Sequence, residues 1–399
     1  METSTSIILP EHVIEDILLR LPVKHLLLWK CVSKHFYALL WDEHFIKKHY
    51  HFQYAMHLAD HGDVPLLADL NLVSKHGDHD VVVNITPDYE RDIPPEIVDE
   101  GNRYNQRMRC IGLVNGIVCL LWGCGRLALW NPATREFKGV PRWPIMPDEA
   151  EKFSSSILGF GFDVQSNDFK ILGLIRTINR NALESDYIYE FHVYSLKANS
   201  WKRIKDVPRT YLAFDLAFTD SYFNNGVHYW PAYELAYIPR NGIVSFNFSS
   251  ETFKEFEPPV AAVPEETWCR LKVGKYKEGL ALLVSRTSEN EETCFEIWAA
   301  TEFQDDNEVP SSWQLVVKVP PIYSHNTLNV CSIIGCGHLL LHICVHDDDD
   351  EEEWGDVPFA DSGAYLYNLS TRTFKKLGFR FNSSFRYVES LFPLSRRLL

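Results

Sequence analysis

A recurring unit is the feature of this sequence that most constrains its fold. Each copy has an apolar run, a short polar turn and an aromatic residue that opens a second run. The copies occupy 127–140, 191–204, 243–256, 295–319 and 364–377. Their aromatic residues are Phe137, Trp201, Phe253, Trp313 and Phe374, at intervals of 52 to 64 residues. Such a period indicates a repeat architecture, in which each unit packs against its neighbours.

A second pair of apolar runs precedes each copy. These hairpin-like segments lie at 112–122, 157–175, 222–230, 271–284 and 331–343. Two of them contain Asn-Gly, at Asn115-Gly116 and Asn225-Gly226, a dipeptide that suits the turn of a two-stranded hairpin. Each repeat therefore holds two hairpins, or four antiparallel strands, which is the unit of a β-propeller blade. We predict five blades between residues 107 and 380.

Apolar runs at both ends of this β region predict how a ring would close. They lie at 53–59, 65–73 and 81–85 and, after the last repeat, at 385–392. Combined as a sixth blade, they would remove the exposed edges of an open array. The predicted fold class is mainly β with a small α-helical N-terminal module, followed by a kelch-like β-propeller of six blades whose last blade is closed by the C-terminal strand. An open, twisted β-sandwich of the same strands is the alternative.

The first fifty residues predict three short helices. Pro10 suits a first helical turn, Pro22 ends the helix that follows, and Ser33 can cap a third. So few residues bury little surface by themselves, so the module needs either the β region or a partner to pack against. Six acidic and six basic residues balance within 1–50, and attraction to a partner would therefore be mainly apolar.

The order of residues in this module closely resembles an F-box. The resemblance implies adaptor contacts by Leu9, Pro10, Ile14, Ile17, Leu21, Pro22, Leu26, Lys30, Cys31, Val32, Ser33 and Phe36. The family often has Trp where this chain has Phe36, and we expect only a small loss of contact from that change. An F-box implies docking onto a Skp-type adaptor, which joins a cullin and a RING subunit.

The β region resembles the F-box-associated domain of plant F-box proteins. The matching segments are NPATREF, GFGFD, NDFK, YSLKANSWK, FNNGVHYW and the C-terminal YVESL. Together with SFNFSSETFKEFEPP they are most similar to the S-locus F-box proteins, which act in pollen self-incompatibility and read basic secreted ribonucleases. The expected domains are an F-box at 1–50, a linker with first strands at 51–106 and the associated domain at 107–399.

The resemblance implies a substrate-recognition subunit of an SCF-type ubiquitin ligase. Its target would be a protein marked for ubiquitination, and a basic ribonuclease is one such target. A receptor for another target, a scaffold that does not cause degradation and a propeller enzyme are the alternatives. A pull-down with adaptor and cullin would separate the enzyme from the other two.

The formal charge of −15 has a clear location. Residues 1–50 contribute nothing to it, and the run Asp347–Glu353 supplies seven of the fifteen negative charges. The excess excludes a general nucleic-acid coat, because phosphate binding needs basic residues. The run is either a solubilising insertion or an attractant for a basic target. Candidate target contacts are Asp347, Asp348, Asp349, Asp350, Glu351, Glu352, Glu353 and Trp354, with the loop aromatics Trp143, Tyr233 and Tyr237.

We expect no catalytic, cofactor-binding or metal-binding residues. His338, His342, Cys344 and His346 lie close in sequence, but without the C-x2-4-C spacing of zinc sites they fit a core strand better. No G-x-S-x-G or phosphate-loop motif is present, so the chain is not expected to be an enzyme.

The expected compartment is reducing. The nine cysteines include no C-x-x-C pair, the N-terminus lacks the pattern of a signal peptide, and no apolar run could span a membrane. The sequence therefore favours a soluble cytoplasmic protein, with the nucleus as a second location.

Overall fold

The computed structural model describes most of the chain in separate ranges. These are 9–61, 66–68, 109–122, 125–142, 153–178, 187–205, 207–208, 211–214, 221–234, 241–263, 269–276, 279–287, 292–304, 309–323, 327–334, 338–344, 363–377, 383–385 and 387–395. Four helices come first, α1 (Glu11–Leu19), α2 (Val23–Trp29), α3 (Lys34–Leu40) and α4 (Glu43–His61).

The first three helices confirm the sequence interpretation at their ends. Pro10 and Pro22 sit at the N-caps of α1 and α2, where a missing N–H costs nothing. The Ser33 hydroxyl accepts a hydrogen bond from the Phe36 N–H at 3.2 Å and so caps α3.

The fourth helix corrects the prediction of a strand at 53–59, because those residues belong to α4. A tertiary contact explains the difference. The Gln53 amide donates to the carbonyl of Leu19 at 2.7 Å, which ties this part of α4 to the end of α1.

The rest of the described chain is β structure. Its strands are β1 (Leu66–Ala68), β2 (Arg109–Val114), β3 (Ile117–Trp122), β4 (Arg126–Asn131), β5 (Glu136–Gly139), β6 (Phe153–Asp163), β7 (Asp168–Ile178), β8 (Tyr187–Ser195), β9 (Ser200–Arg203), β10 (Tyr211–Phe214), β11 (Tyr222–Asn224), β12 (Val227–Glu234), β13 (Asn241–Asn247), β14 (Thr252–Phe256), β15 (Arg270–Tyr276), β16 (Gly279–Thr287), β17 (Glu292–Gln304), β18 (Val309–Tyr323), β19 (Thr327–Ile334), β20 (His338–Cys344), β21 (Gly363–Asn368), β22 (Thr373–Leu377) and β23 (Ser383–Phe385).

Five antiparallel sheets follow one another along the chain. Their orders are β2-β3-β4-β5, β6-β7-β8-β9, β10-β12-β13-β14, β15-β16-β17-β18 and β19-β20-β21-β22, and β11 also pairs with β12 in the third sheet. All ten predicted hairpin segments fall on paired strands of these sheets. The repeat therefore does correspond to groups of four antiparallel strands.

The two ends of the β region also meet. β1 pairs with β23, with Leu66 opposite Phe385 and Ala68 opposite Ser383. The predicted C-terminal strand at 385–392 is wrong in its extent, since only Phe385 is in a strand and 387–392 is irregular. The apolar run at 81–85 lies outside the described residues.

The sheets touch through their inner strands. β6 lies against β2 and β11, β15 lies against β11 and β19, and β23 lies against both β19 and β2. The contacts thus lead from β2 through each sheet in turn and back to β2.

One turn conformation recurs in four of the five sheets. A polar residue ends a strand, and its side-chain oxygen accepts a backbone N–H two or three residues later; these residues are Asn131, Asp163, Ser195, Asn247 and Asn368. Four positions further on the backbone φ is positive, between 49° and 58°, at Arg135, Asn167, Asn199, Glu251 and Arg372. The polar side chain supports a turn that an L-residue otherwise adopts at a cost.

An aromatic residue follows two positions after each positive φ; it is a repeat aromatic in four turns and Phe169 in the fifth. It faces the aromatic residue that precedes the turn, with ring centroids 4.7 to 6.4 Å apart in the pairs Trp130–Phe137, Phe162–Phe169, Tyr194–Trp201, Phe246–Phe253 and Tyr367–Phe374. These cross-strand pairs fix the register of each hairpin.

A buried ionic cluster joins the second sheet to the third. The Lys170 ammonium, 7% exposed, lies 3.0 Å from Asp163 and 2.9 Å from Glu251, and it donates to the Phe248 carbonyl at 2.8 Å. Burial alone would raise the pKa of Asp163, but hydrogen bonds from Ser166, Ser249 and Lys170 hold it well below its usual range. Burial would likewise lower the pKa of Lys170, and its hydrogen bonds to Glu251 and Asp163 outweigh that and raise it.

Candidate functional site

Exposed apolar side chains concentrate on the helical module. Among the described residues nine large apolar side chains are exposed, and five of them lie within residues 9–32. These five form what we call the apolar surface of the module: Leu9 at 46%, Ile17 at 44%, Leu28 at 65%, Trp29 at 38% and Val32 at 69% exposed. Such a concentration marks an interaction surface better than scattered single residues do.

Two ion pairs lie in the helical module. Arg20 lies 3.2 Å from Asp16, and Lys48 lies 2.8 Å from Glu15. Exposed pairs of this kind contribute little to stability or to attraction. Contact with a partner at this surface would therefore depend mainly on apolar burial, as the balanced charge of the first fifty residues indicated.

The predicted adaptor contacts divide by exposure. Leu9, Pro10, Ile17, Pro22, Cys31, Val32 and Ser33 are exposed; Ile14, Leu21, Lys30 and Phe36 are half-buried; Leu26 has no exposed surface. Leu26 therefore packs in the core of the module and has no surface to offer a partner. Phe36 packs edge-on against Trp29, with centroids 5.1 Å apart.

Sequence reasoning missed Leu28 and Trp29. The signal was present, because four consecutive apolar residues, Leu26 to Trp29, cannot all face inward from one helix. Only the residues on the inner side of α2 can pack against the rest of the module, and Leu28 and Trp29 are left outside.

A buried histidine holds the module together beneath this surface. His49 in α4 has no exposed surface, and its Nε2 donates to the carbonyl of Leu21 at 2.9 Å. Burial lowers the pKa of His49 despite that hydrogen bond, so the ring is neutral at physiological pH. α4 is thus fixed against the end of α1, next to the residues that lead into α2.

The residues after β23 link the module to the sheets. We call Tyr387–Leu394 the C-terminal segment. α2 has no side-chain cap of its own, and the carboxylate of Glu389 accepts the Val23 N–H at 3.0 Å instead. The negative charge of Glu389 at the N-terminus of α2 also interacts favourably with the helix dipole.

The same segment is fixed to the first sheet. The Asn131 amide donates to the carbonyls of Ser390 at 3.0 Å and Phe392 at 2.9 Å, while its oxygen still supports the turn described above. The Leu394 N–H donates to Glu136 at 2.9 Å. Asn131 therefore has two roles, one of which its sequence pattern did not reveal.

Apolar packing completes this link. Phe392 lies 6.3 Å from Tyr50 of α4 and 5.5 Å from both Phe162 and Phe169 of the second sheet, measured between ring centroids. Burial raises the pKa of Tyr387 far above its usual value. The helical module, the first two sheets and the C-terminal segment therefore share one core.

Of the candidate target contacts, Tyr233 lies in the described part of the chain. Trp143, Tyr237 and the run from Asp347 to Trp354 lie outside the described residues. Tyr233 lies in β12 opposite Asn241.

Within the described part of the chain, no group of three or more His, Cys, Asp or Glu is arranged to hold a metal ion. No helix there has the length and apolar character to cross a bilayer.

Fold and surface together define a class: a mainly β protein of repeated antiparallel sheets with an N-terminal helical docking module. The model of the family described as "F-box associated beta propeller domain" matches residues 71–394, and that of the F-box domain matches residues 7–48. The chain belongs to this F-box-associated domain family and carries an F-box. The predicted resemblance to plant F-box proteins with an associated domain is confirmed at this level.

Relatives agree with the assignment. The chain is 27% identical to F-box protein CPR1 of Arabidopsis thaliana, over 78% of this chain and 73% of that protein. It is 29% identical to F-box/WD-40 repeat-containing protein 1 of the same plant, over 66% of this chain and 58% of that protein. Among solved structures, an ulvan lyase shares 12% identity at a TM-score of 0.37, covering 68% of this chain and 66% of the lyase chain.

Proposed function

We propose that this protein is the target-recognition subunit of an SCF-type ubiquitin ligase. The observation that carries the proposal is the apolar surface of the module, which lies on residues matched by the F-box family. An F-box implies a Skp-type adaptor as the partner, and through it a cullin and a RING subunit. Five exposed apolar side chains on a module with no net charge suit that kind of contact.

The chain itself performs no bond chemistry in this proposal. Holding a target protein next to the ubiquitin-charged partner raises the effective concentration of the target's lysines, which is sufficient to accelerate transfer. The fixed link between the helical module and the first two sheets supports this role, because proximity is useful only when the two binding ends keep a constant geometry.

We propose that the five sheets and the β1–β23 pair are six blades of one propeller. The cyclic order of contacts between inner strands supports this arrangement. In such a ring the loops between strands lie together at the two faces, where a target would bind. A crystal structure with two stacked sheets and no central channel would contradict it.

The target in this proposal is a basic protein, of which an S-locus ribonuclease is the specific case, met in the cytoplasm or the nucleus. The resemblance of the sequence to S-locus F-box proteins and the seven acids of Asp347–Glu353 support it. Replacing these acids with Ser and Asn should slow association with a basic target at low salt. An association rate that stays unchanged at low salt would remove the acidic run from the proposal.

Adaptor binding can be tested with two matched variants. Val32 on the apolar surface and Val260, in the segment that connects β14 to β15, are both 69% exposed. Val32→Lys and Val260→Lys should therefore lower the free energy of unfolding equally little. Only Val32→Lys should weaken capture of the adaptor–cullin complex, because it places a charge in an apolar contact. Leu9→Ala with Pro10→Ala should abolish capture. Equal capture by both lysine variants would contradict the proposed surface.

A second measurement separates a ubiquitin-ligase receptor from a scaffold. Proteins that co-purify with the chain from its native tissue, with ribonucleases looked for specifically, provide the target. Its half-life should rise when the proteasome is blocked and also in cells that carry only Val32→Lys. A half-life insensitive to both would favour the non-degradative scaffold.

A further inference from the structure

The outer strands of the five sheets are built to one pattern, with one exception. β5, β9, β14 and β22 are four or five residues long. In each, a lysine follows the repeat aromatic: Lys138, Lys202, Lys254 and Lys375. Short strands and lysines are the devices by which proteins prevent other chains from pairing with a free sheet edge.

The outer strand of the fourth sheet departs from this pattern in its length and at the position after the repeat aromatic. β18 has fifteen residues, and Gln314 stands where the other four strands have lysine. Leu315 next to it is 40% exposed. β18 is the last strand of its sheet, and β17 is its only strand partner in the described part of the chain. No strand among the described residues uses the backbone groups on the outer side of β18.

The usable part of this edge is bounded by proline. Pro310 and Pro320 have no N–H to donate to a new strand, which leaves Ser311–Val319 between them. Register shifts leave Val316, inside this window, and Ser311, at its end, without an opposite residue on β17. These extra residues add twist to the edge, but no other strand of the described chain pairs with it.

We propose that this edge pairs with the same edge of a second copy of the chain. Across a two-fold axis at Leu315, two antiparallel β18 strands place Leu315 opposite Leu315, Trp313 opposite Val317, and Lys318 opposite Ser312. Lys318 is the only ionised side chain in the window. At about 3.4 Å per residue the two Lys318 side chains lie roughly 20 Å apart, beyond the range of screened repulsion.

Self-pairing gives hydrogen-bond partners to the outer backbone groups of β18 without placing like charges opposite each other. A nine-residue edge makes a small interface, so the dimer should depend on protein concentration. Each copy carries −15 overall, and salt should therefore strengthen the dimer by screening long-range repulsion. Two target-binding faces and two adaptor-binding surfaces in one particle would add avidity for a multivalent partner.

The experiment is the mass of the purified full chain, measured by light scattering at increasing protein concentration. The wild type should rise from 46.2 kDa towards twice that mass. Leu315→Lys and Leu315→Glu should each remain monomeric, because either change sets like charges opposite each other at the axis. An equal mixture of the two should recover the dimer, which also proves that both variants are folded. Val260→Lys should dimerise as the wild type does.

Three outcomes would overturn the proposal: a wild type that is monomeric at every concentration, single variants that still dimerise, or a mixture that fails to recover. A monomeric chain whose Ser311–Val319 amides become protected from hydrogen exchange only when a target is added would give the edge to a partner's extended segment instead.

Discussion

Gly116, in the turn between β2 and β3, lies directly against the C-terminal segment and allows a sharp test. Gly116 has a φ of +76°, and a Cβ added there would lie 2.4 Å from Ser390 Cβ and 2.6 Å from the Val388 carbonyl oxygen. The equivalent turn of the third sheet supplies a matched control. Gly226 has a φ of +86°, also follows an asparagine with positive φ, and a Cβ there would meet nothing closer than 3.7 Å.

The difference between the two alanine variants isolates the C-terminal segment. Both pay for an alanine in the left-handed region, about 1–2 kcal/mol. Gly116→Ala must in addition displace the backbone at Val388 and Ser390, an overpacking cost of about 1–3 kcal/mol. We therefore expect Gly116→Ala to destabilise the protein by about 2–5 kcal/mol and Gly226→Ala by about 1–2 kcal/mol.

Urea unfolding measures the total loss, and hydrogen exchange measures where it occurs. The unfolding midpoint should fall further for Gly116→Ala at an unchanged slope. Only this variant should show faster exchange in Tyr387–Leu394 and at the Val23 amide, which Glu389 protects. Equal midpoints for the two variants, or unchanged exchange in the C-terminal segment, would refute the reasoning.

The ionic cluster and the α2 cap yield three further predictions, all read from urea midpoints. Lys170→Met leaves Asp163 and Glu251 without their buried partner and should cost about 3–5 kcal/mol, whereas Lys202→Met, at a side chain 71% exposed, should cost less than about 1 kcal/mol. The pKa values of Asp163 and Glu251 lie below their ordinary values, so both carboxylates stabilise the fold at a pH above their unfolded-state pKa. This stabilisation is lost as the pH falls through their folded-state pKa values. The urea midpoint should therefore drop on acidification, and it should drop less steeply in Asp163→Asn. Glu389→Ala should cost about 1 kcal/mol, and Glu389→Gln less, because the amide oxygen can still accept the hydrogen bond.

The hairpins could be predicted from the sequence because their determinants are local. Asn115-Gly116 and Asn225-Gly226 both adopt positive φ at both positions, between 47° and 86°, as the dipeptide indicated. Four of the five repeat aromatics pack across their hairpin onto an aromatic residue seven positions earlier, as with Phe253 on Phe246. A pattern that is decided within fourteen residues is readable without tertiary structure.

The α4 error shows where local patterns mislead. Phe52, Tyr54 and Met56 alternate with other residues, as the buried face of a strand does. Their backbone is nevertheless helical, since α4 continues from the buried Phe45 and Tyr50 without a break. The contact between Gln53 and the end of α1 favours the helix over the strand. The pattern of residues 53–59 does not reveal that contact, because its other partner lies in α1.

The candidate site was found only in part for the same reason. The F-box residues form a long local pattern, but the cap on α2 comes from Glu389, 366 residues away from Val23. No sequence period links the two. The apolar character of the surface was predictable from composition, whereas the dependence of that surface on the C-terminal segment was not.

That dependence couples the two ends of the protein. Glu389 can cap α2 only when the C-terminal segment is docked, and docking needs the turn at Asn131 and the space above Gly116. Both of those belong to the first sheet. The N-terminal end of the helix that carries the exposed Leu28 and Trp29 is therefore capped only when the C-terminal segment is docked on a folded first sheet. In the proposed receptor, a chain whose first sheet is misfolded should therefore bind the adaptor more weakly than the wild type, because α2 would lack its cap.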